Sequence, residues 1–121
     1  MADILTERII GAAIEVHREL GPGLLESIYE EALCYEFEQQ GIRYERQVPV
    51  DLFYKGKAIK GFKLDLLVEK EVVIELKAVQ LPPKVALSQT ISYLKATKLK
   101  RGLIINFGEK RLVDGIKRVS A

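Results

Sequence analysis

The chain has 121 residues, 48% of them hydrophobic and 30% charged, with a net charge of +2. That length and balance describe one globular domain with a core of its own and exclude a disordered or disulfide-stapled chain. One cysteine and one histidine exclude a Cys/His metal cluster, so any metal must sit on carboxylates, which favours a hard ion.

The first residues lack a basic region followed by an apolar core, and no apolar run is long enough to span a bilayer. A cytoplasmic protein with no membrane partner is the expectation. Leu5, Ile9, Ala12, Ala13, Val16 and Leu20 recur at helical spacing over residues 3–20. Gly21-Pro22-Gly23 stops that helix. A second helix is predicted from Leu24 to Gln40, with Leu25, Ile28, Tyr29, Ala32 and Leu33 inward and Gly41 as its cap. Cys34 lies in this pattern and is expected to be buried packing. Tyr44 to Phe53 reads as a strand, and Pro49 marks it as an edge or a bulge. Tyr54 to Lys57 forms a hairpin turn, Ala58 to Val68 a second strand and Val72 to Val79 a third. Leu81-Pro82-Pro83 ends the sheet segment and opens a helix running from near Lys84 to Thr97. Gly102 to Phe107 is a short buried strand. An additional strand or short helix is expected around Arg111 to Lys117. The order ααβββαβ, with that extra C-terminal element, predicts a single α/β domain over residues 1–121, a mixed sheet flanked by helices.

Charge is unevenly spread. Residues 1–38 carry nine acids and two bases; residues 95–121 carry eight bases and two acids. The basic end suits phosphates, and an acidic helical layer packed beside a basic one explains the same distribution.

The chemistry concentrates in the run from Gly61 to Lys77. Strand alternation puts Phe62, Leu64, Leu66 and Val68 on one face and Lys63, Asp65 and Leu67 on the other. On the next strand Val73, Glu75 and Lys77 share a face. A turn centred on Lys70 sets Asp65 directly across from Glu75, with Cβ atoms about 5 Å apart. Two carboxylates that close repel, and a divalent cation or a shared proton removes the conflict. Lys77 projects beside Glu75, where an ammonium can orient water or stabilise a phosphate in flight. The plainer alternative is a Glu75–Lys77 salt bridge on a solvated strand. Against it, the pair interrupts the apolar run Val72 to Val79, where charge is costly.

With these residues the chain resembles the PD-(D/E)xK nuclease superfamily, and most of all its small bacterial proteins named for a G-x-x-E-x-x-Y motif, here Gly23-Leu-Leu-Glu26-Ser-Ile-Tyr29. The likeness continues through Gly61 to Asp65, Val73 to Val79, Gln89 to Thr97 and Gly102 to Gly108. It implies a restriction-endonuclease-like core with Asp65, Glu75 and Lys77 as the active site. Leu64 stands where the superfamily's motif has Pro. The resemblance adds Glu26 and the carbonyl of Leu76 to the metal shell, with Mg²⁺ as cofactor and Mn²⁺ as substitute. Gln89-Thr-Ile-Ser-Tyr93 matches the Q-x-x-x-Y motif of RecB-like nucleases, so Gln89 and Tyr93 are expected to position the substrate from one helix face. His17 and Tyr29 are weaker candidates: Tyr29 lies on the inward stripe, and His17 sits one turn before Gly21. Lys95, Lys98, Lys100 and Arg101 either grip a nucleic-acid backbone or form a solvated helix end. The implied activity is metal-dependent hydrolysis of phosphodiester bonds, with DNA the expected substrate. The alternative is a module on the same fold that binds nucleic acid or an unknown protein without cutting. A homodimer is a further expectation, because one small domain covers few base pairs.

Overall fold

The computed structural model describes residues 3–79 and 84–121. Helix α1 (Ile4–Leu20) starts at Asp3, whose carboxylate accepts the Thr6 N–H at 3.2 Å. This is an N-cap satisfying one of the free first-turn donors. Helix α2 (Glu26–Gln40) begins two residues later than the sequence suggests and ends at Gly41, which adopts φ 71. Strand β1 (Tyr44–Tyr54) turns into β2 (Lys57–Val68) through Lys55 and Gly56, both at positive φ. Such two-residue turns match the strand twist. Strand β3 (Val72–Lys77), helix α3 (Lys84–Thr97) and strand β4 (Arg101–Asn106) follow. The chain closes with a 3₁₀ turn (Leu112–Gly115) and strand β5 (Ile116–Ser120), so the C-terminal region supplies both of the predicted alternatives. The Leu81-Pro82-Pro83 stop lies outside the described residues.

The sheet order is β1-β2-β3-β4-β5. Only β3 and β4 pair in parallel, joined by α3 as a crossover; the other neighbours are antiparallel. Pro49 falls on the edge strand β1, where a missing N–H is tolerated. Val72, Ile74 and Leu76 of β3 and Leu103 and Ile105 of β4 pack under α1 and α2 with Ile9, Val16, Leu33 and Phe37. On the opposite face Val73 and Ile104 meet α3 through Ala86, Tyr93 and Leu94. Gly102 is buried there, and a Cβ on it would come within 2.9 Å of the Thr90 methyl, so a side chain would lift α3 off the sheet. No helix of the described residues is long and apolar enough to cross a membrane.

Two sequence expectations are corrected. Leu66 and Val68 do pack under α1 and α2, but Phe62 and Leu64 belong to the α3 side. Strand β1 switches at the same level: Tyr44 faces the first layer, whereas Val48 and Val50 face the second. The switch coincides with Gln47, which has φ 49 and lies at the level of Asp65. A left-handed residue breaks the two-residue alternation of a strand. On α2, Leu25 and Ile28 are 73% and 44% exposed and do not point inward. The buried stripe is Tyr29, Leu33 and Phe37, flanked by Glu30 and Cys34. Leu25 precedes the first helical turn, and Ile28 lies one residue off that four-residue stripe.

Candidate active site

Strands β2 and β3 pair as Leu66 with Ile74, Leu67 with Val73 and Val68 with Val72. The next step in that register sets Asp65 across from Glu75, as a turn centred on Lys70 requires. Glu69 and Lys70 take positive φ to make this turn. Asp65 Oδ2 accepts the backbone N–H of Leu76 at 2.8 Å, which fixes the carboxylate against β3. Burial raises its pKa, helped by the charge of Glu30; the Leu76 N–H, Lys77 and Gln47 pull the other way.

Glu75 is 4% exposed, and its Oε1 has no hydrogen-bond partner. Burial first, then the neighbouring Asp65 charge, push its carboxyl up to about 8; Lys77 opposes the shift. A buried carboxylate oxygen without a donor is costly unless something cationic or a proton serves it. Lys77 is half-buried at the end of β3 and forms no ion pair among the described residues. The Glu75–Lys77 salt bridge of the plainer alternative is therefore not formed, and the ammonium acts on both carboxylates from a distance.

Glu26 stands exposed in the first turn of α2. Loss of solvent on its inner side and the Asp65 charge raise its pKa, and Lys77 lowers it, so all three carboxylates and the lysine share one field. No three of the described Asp, Glu, His or Cys side chains converge into a ready-made metal cage. Asp65 and Glu75 do fit an ion that takes one or two carboxylates and keeps several waters, as Mg²⁺ does. The unpartnered Glu75 oxygen is the structural sign that a cation suits this place.

Tyr93 is 6% exposed on the α3 face of the sheet, and burial with the charges of Glu75 and Asp65 raises its pKa. Gln89, one helical turn earlier, lines a shallow groove of about 200 Å³ with Leu52, Phe62, Ser88, Ser92 and Tyr93. Tyr29 is fully buried, stacked on Phe107 at 4.5 Å. Its hydroxyl donates to the Gly21 carbonyl at 2.5 Å and accepts the Leu24 N–H at 3.1 Å, so it ties down the Gly-Pro-Gly turn. His17 Nε2 lies 2.8 Å from the Glu109 carbonyl and holds the loop after β4. Neither hydrogen-bonds Asp65 or Glu75. Among the basic candidates, Arg101 is engaged with Asp3 and Glu71, whereas Lys95, Lys98 and Lys100 are exposed.

Sequence reasoning missed three contributors. Glu30 is 9% exposed and takes Arg46 through Nε and Nη2, the latter at 2.8 Å. Gln47 Nε2 donates to the other Glu30 oxygen at 2.9 Å. The left-handed turn at Gln47 thus aims an amide at Glu30, at the level of Asp65. Glu30 lies four residues after Glu26, a helical-face signal present in the sequence; nothing local marks Gln47. The third is Asn106, buried beside Lys77 in the β3–β4 ladder. Its side chain accepts the Val79 N–H and donates to the Val79 carbonyl, so the chain leaving Lys77 is pinned to β4. A polar residue inside Leu103 to Phe107 was the available signal.

An Asp, a Glu and a Lys on adjoining strands of a mixed sheet with one parallel crossover make an α/β fold of nuclease type. A family model of the PD-(D/E)XK nuclease superfamily matches residues 3–119, and the chain belongs to that superfamily. Its five-stranded sheet with flanking helices is the restriction-endonuclease-like core. Compared with curated proteins and with solved structures, the chain has no match.

Proposed function

We propose that residues 1–121 form one metal-dependent nuclease domain that hydrolyses phosphodiester bonds, with DNA as substrate, of the small G-x-x-E-x-x-Y kind. The observation that carries this is the buried Glu75 carboxylate, with one oxygen unpartnered, across from Asp65 and two residues from Lys77. Asp65 and Glu75 would hold the ion, with Glu26 and the Leu76 carbonyl as further ligands. Bound there, a divalent ion would supply polarisation of a phosphoryl oxygen and a water nucleophile at neutral pH. Lys77 orients the attacking water and balances charge building on the phosphate. Asp65 stays aimed because the Leu76 N–H holds it. Gln89 and Tyr93 position the strand from α3, with Mg²⁺ as the working ion and Mn²⁺ as substitute.

The test is cleavage of single- and double-stranded DNA and RNA by pure protein with Mg²⁺ or Mn²⁺. Glu75→Gln and Lys77→Ala are expected to lose cleavage while keeping the fold by circular dichroism. A wild-type protein that cuts none of these substrates overturns the reading.

Of the three side-chain carboxylates assigned to the ion, Glu75 is buried, Asp65 half-buried and Glu26 exposed, and this favours a second reading as a binding module that does not cut. Thermal melting in a Mn²⁺ titration separates the two. An ion bound by the native state alone raises the midpoint by mass action, and Asp65→Asn removes the rise. No rise in the wild type leaves the binding module.

A further inference from the structure

The β1–β2 hairpin is longer than the sheet it belongs to. Its ladder runs from Tyr44 opposite Val68 out to Tyr54 opposite Lys57. Strand β3 pairs with β2 only over Leu66 to Val68. Past that point, Val50, Leu52 and Phe62 are still packed on the α3 side. Beyond them the tip is a two-stranded ribbon whose residues from Phe53 to Gly61 are exposed, apart from half-buried Ala58. The ribbon bends where its register shifts between Val50 and Leu52; there Gly61 takes φ 106, which a side-chain-bearing residue rarely adopts.

The tip combines two features that solvent alone does not explain. Phe53 and Tyr54 are 68% and 61% exposed, and Ile59 is 41% exposed. Around them stand Lys55, Lys57, Lys60 and Lys63, against one acid, Asp51, which Lys60 engages at 2.9 Å. Lys55, Lys57 and Lys63 form no ion pair among the described residues. Lys55 Nζ lies 5.5 Å from the centre of the Tyr54 ring, so charge and aromatic face are presented together. Lysine charges attract phosphates, and exposed aromatic rings offer platforms on which unpaired bases stack. Bases in a duplex are stacked on each other and cannot use such a platform.

We propose that the β1–β2 hairpin tip is a single-strand nucleic-acid arm, with Lys55, Lys57 and Lys63 on the phosphates and Tyr54 and Phe53 stacking bases. This rests on the nuclease reading and gives it a substrate class: single-stranded or frayed nucleic acid. The Phe53–Gly61 tip lies away from Asp65 and Glu75 along β2, with Lys63 between tip and site, so the arm leads the strand from the tip toward the cut.

The test is fluorescence anisotropy with a labelled oligo(dT) and a duplex of equal length, in EDTA, on the whole protein. Lys55→Gln/Lys57→Gln/Lys63→Gln is expected to weaken oligo(dT) binding at least about tenfold and to flatten its salt dependence by about two charges. Tyr54→Ser and Phe53→Ser are expected to weaken oligo(dT) at least about fivefold and leave the duplex unchanged. All these side chains are exposed, and unchanged melting midpoints confirm folded variants. If the wild type binds oligo(dT) and every variant binds it equally well, the arm is wrong while the nuclease reading stands. If Tyr54→Ser weakens duplex and single strand alike, base stacking is wrong. If light scattering shows a dimer that Tyr54→Ser dissolves, with oligo(dT) binding unaltered, the tip covers a second copy and the arm is overturned. A wild type that neither binds nor cuts nucleic acid removes both readings.

Discussion

Glu75 is held where its charge is least comfortable. An isolated glutamate titrates near 4.5, and this one is pushed up to about 8, first by burial and then by Asp65. In the metal-free protein the folded state therefore keeps a proton that the unfolded chain has lost. Stability is greatest below about pH 4.5 as far as this group is concerned, falls as pH rises through the window up to about 8, and is flat above. Melting midpoints of chelated protein should decline across that window, and Glu75→Gln should remove the Glu75 part of the decline. An unchanged slope in the variant would mean that Glu75 is ionised in the fold throughout. The Asp65–Glu75 facing was legible because the turn between β2 and β3 is symmetric about Lys70 and both strands alternate near it. The support around Asp65 was not. Gln47 at φ 49 brings its amide to Glu30, seventeen residues away along the chain, and glutamine carries no local preference for that conformation.

At the scale of elements, the site depends on how β3 ends. Lys77 pairs with Asn106, its carbonyl accepts the Phe107 N–H at 2.8 Å, and the Asn106 side chain continues the ladder onto Val79. Gly108 makes room for this: a Cβ there would fall 2.5 Å from the Val79 carbonyl oxygen. The obstacle is backbone and cannot swing aside. Gly108→Ala is expected to destabilise the protein by about 1–3 kcal/mol through overpacking, measured by urea denaturation. Since the shift acts on Val79, cleavage should fall more than stability alone accounts for. A variant as stable and as active as the wild type would show that the Val79 segment is free to move. The helices were legible by their periodicity, yet α2 rotates against expectation. Its sequence offers apolar residues on two sides, and only contact with the sheet selects Tyr29, Leu33 and Phe37 over Leu25 and Ile28.

Across the molecule, order is graded from the centre outward. Strands β3 and β4 are buried along almost their whole length, whereas the hairpin tip and α2's start are open. Amide hydrogen exchange is expected to be slowest at Ile74, Leu76, Ile104 and Ile105 and fast from Phe53 to Lys60. Protection at the tip equal to that of β3 would mean that the ribbon is covered in solution. Element order and the mixed sheet were readable from pattern, because one helix between two apolar strands forces a parallel crossover.

That crossover has a consequence for when the site exists. The hairpin from Tyr44 to Lys77 is local and can form as soon as it is made, so it brings Asp65 and Glu75 together before α3 and β4 are made. Strand β4 must then find β3 across more than twenty residues, and Asn106 then fixes the chain beyond Lys77 at Val79. On a ribosome, residues 101–108 follow Glu75 by more than twenty residues. The acidic pair is thus made before the strand that helps to enclose it. A nascent chain halted before β4 would hold the motif without the machine.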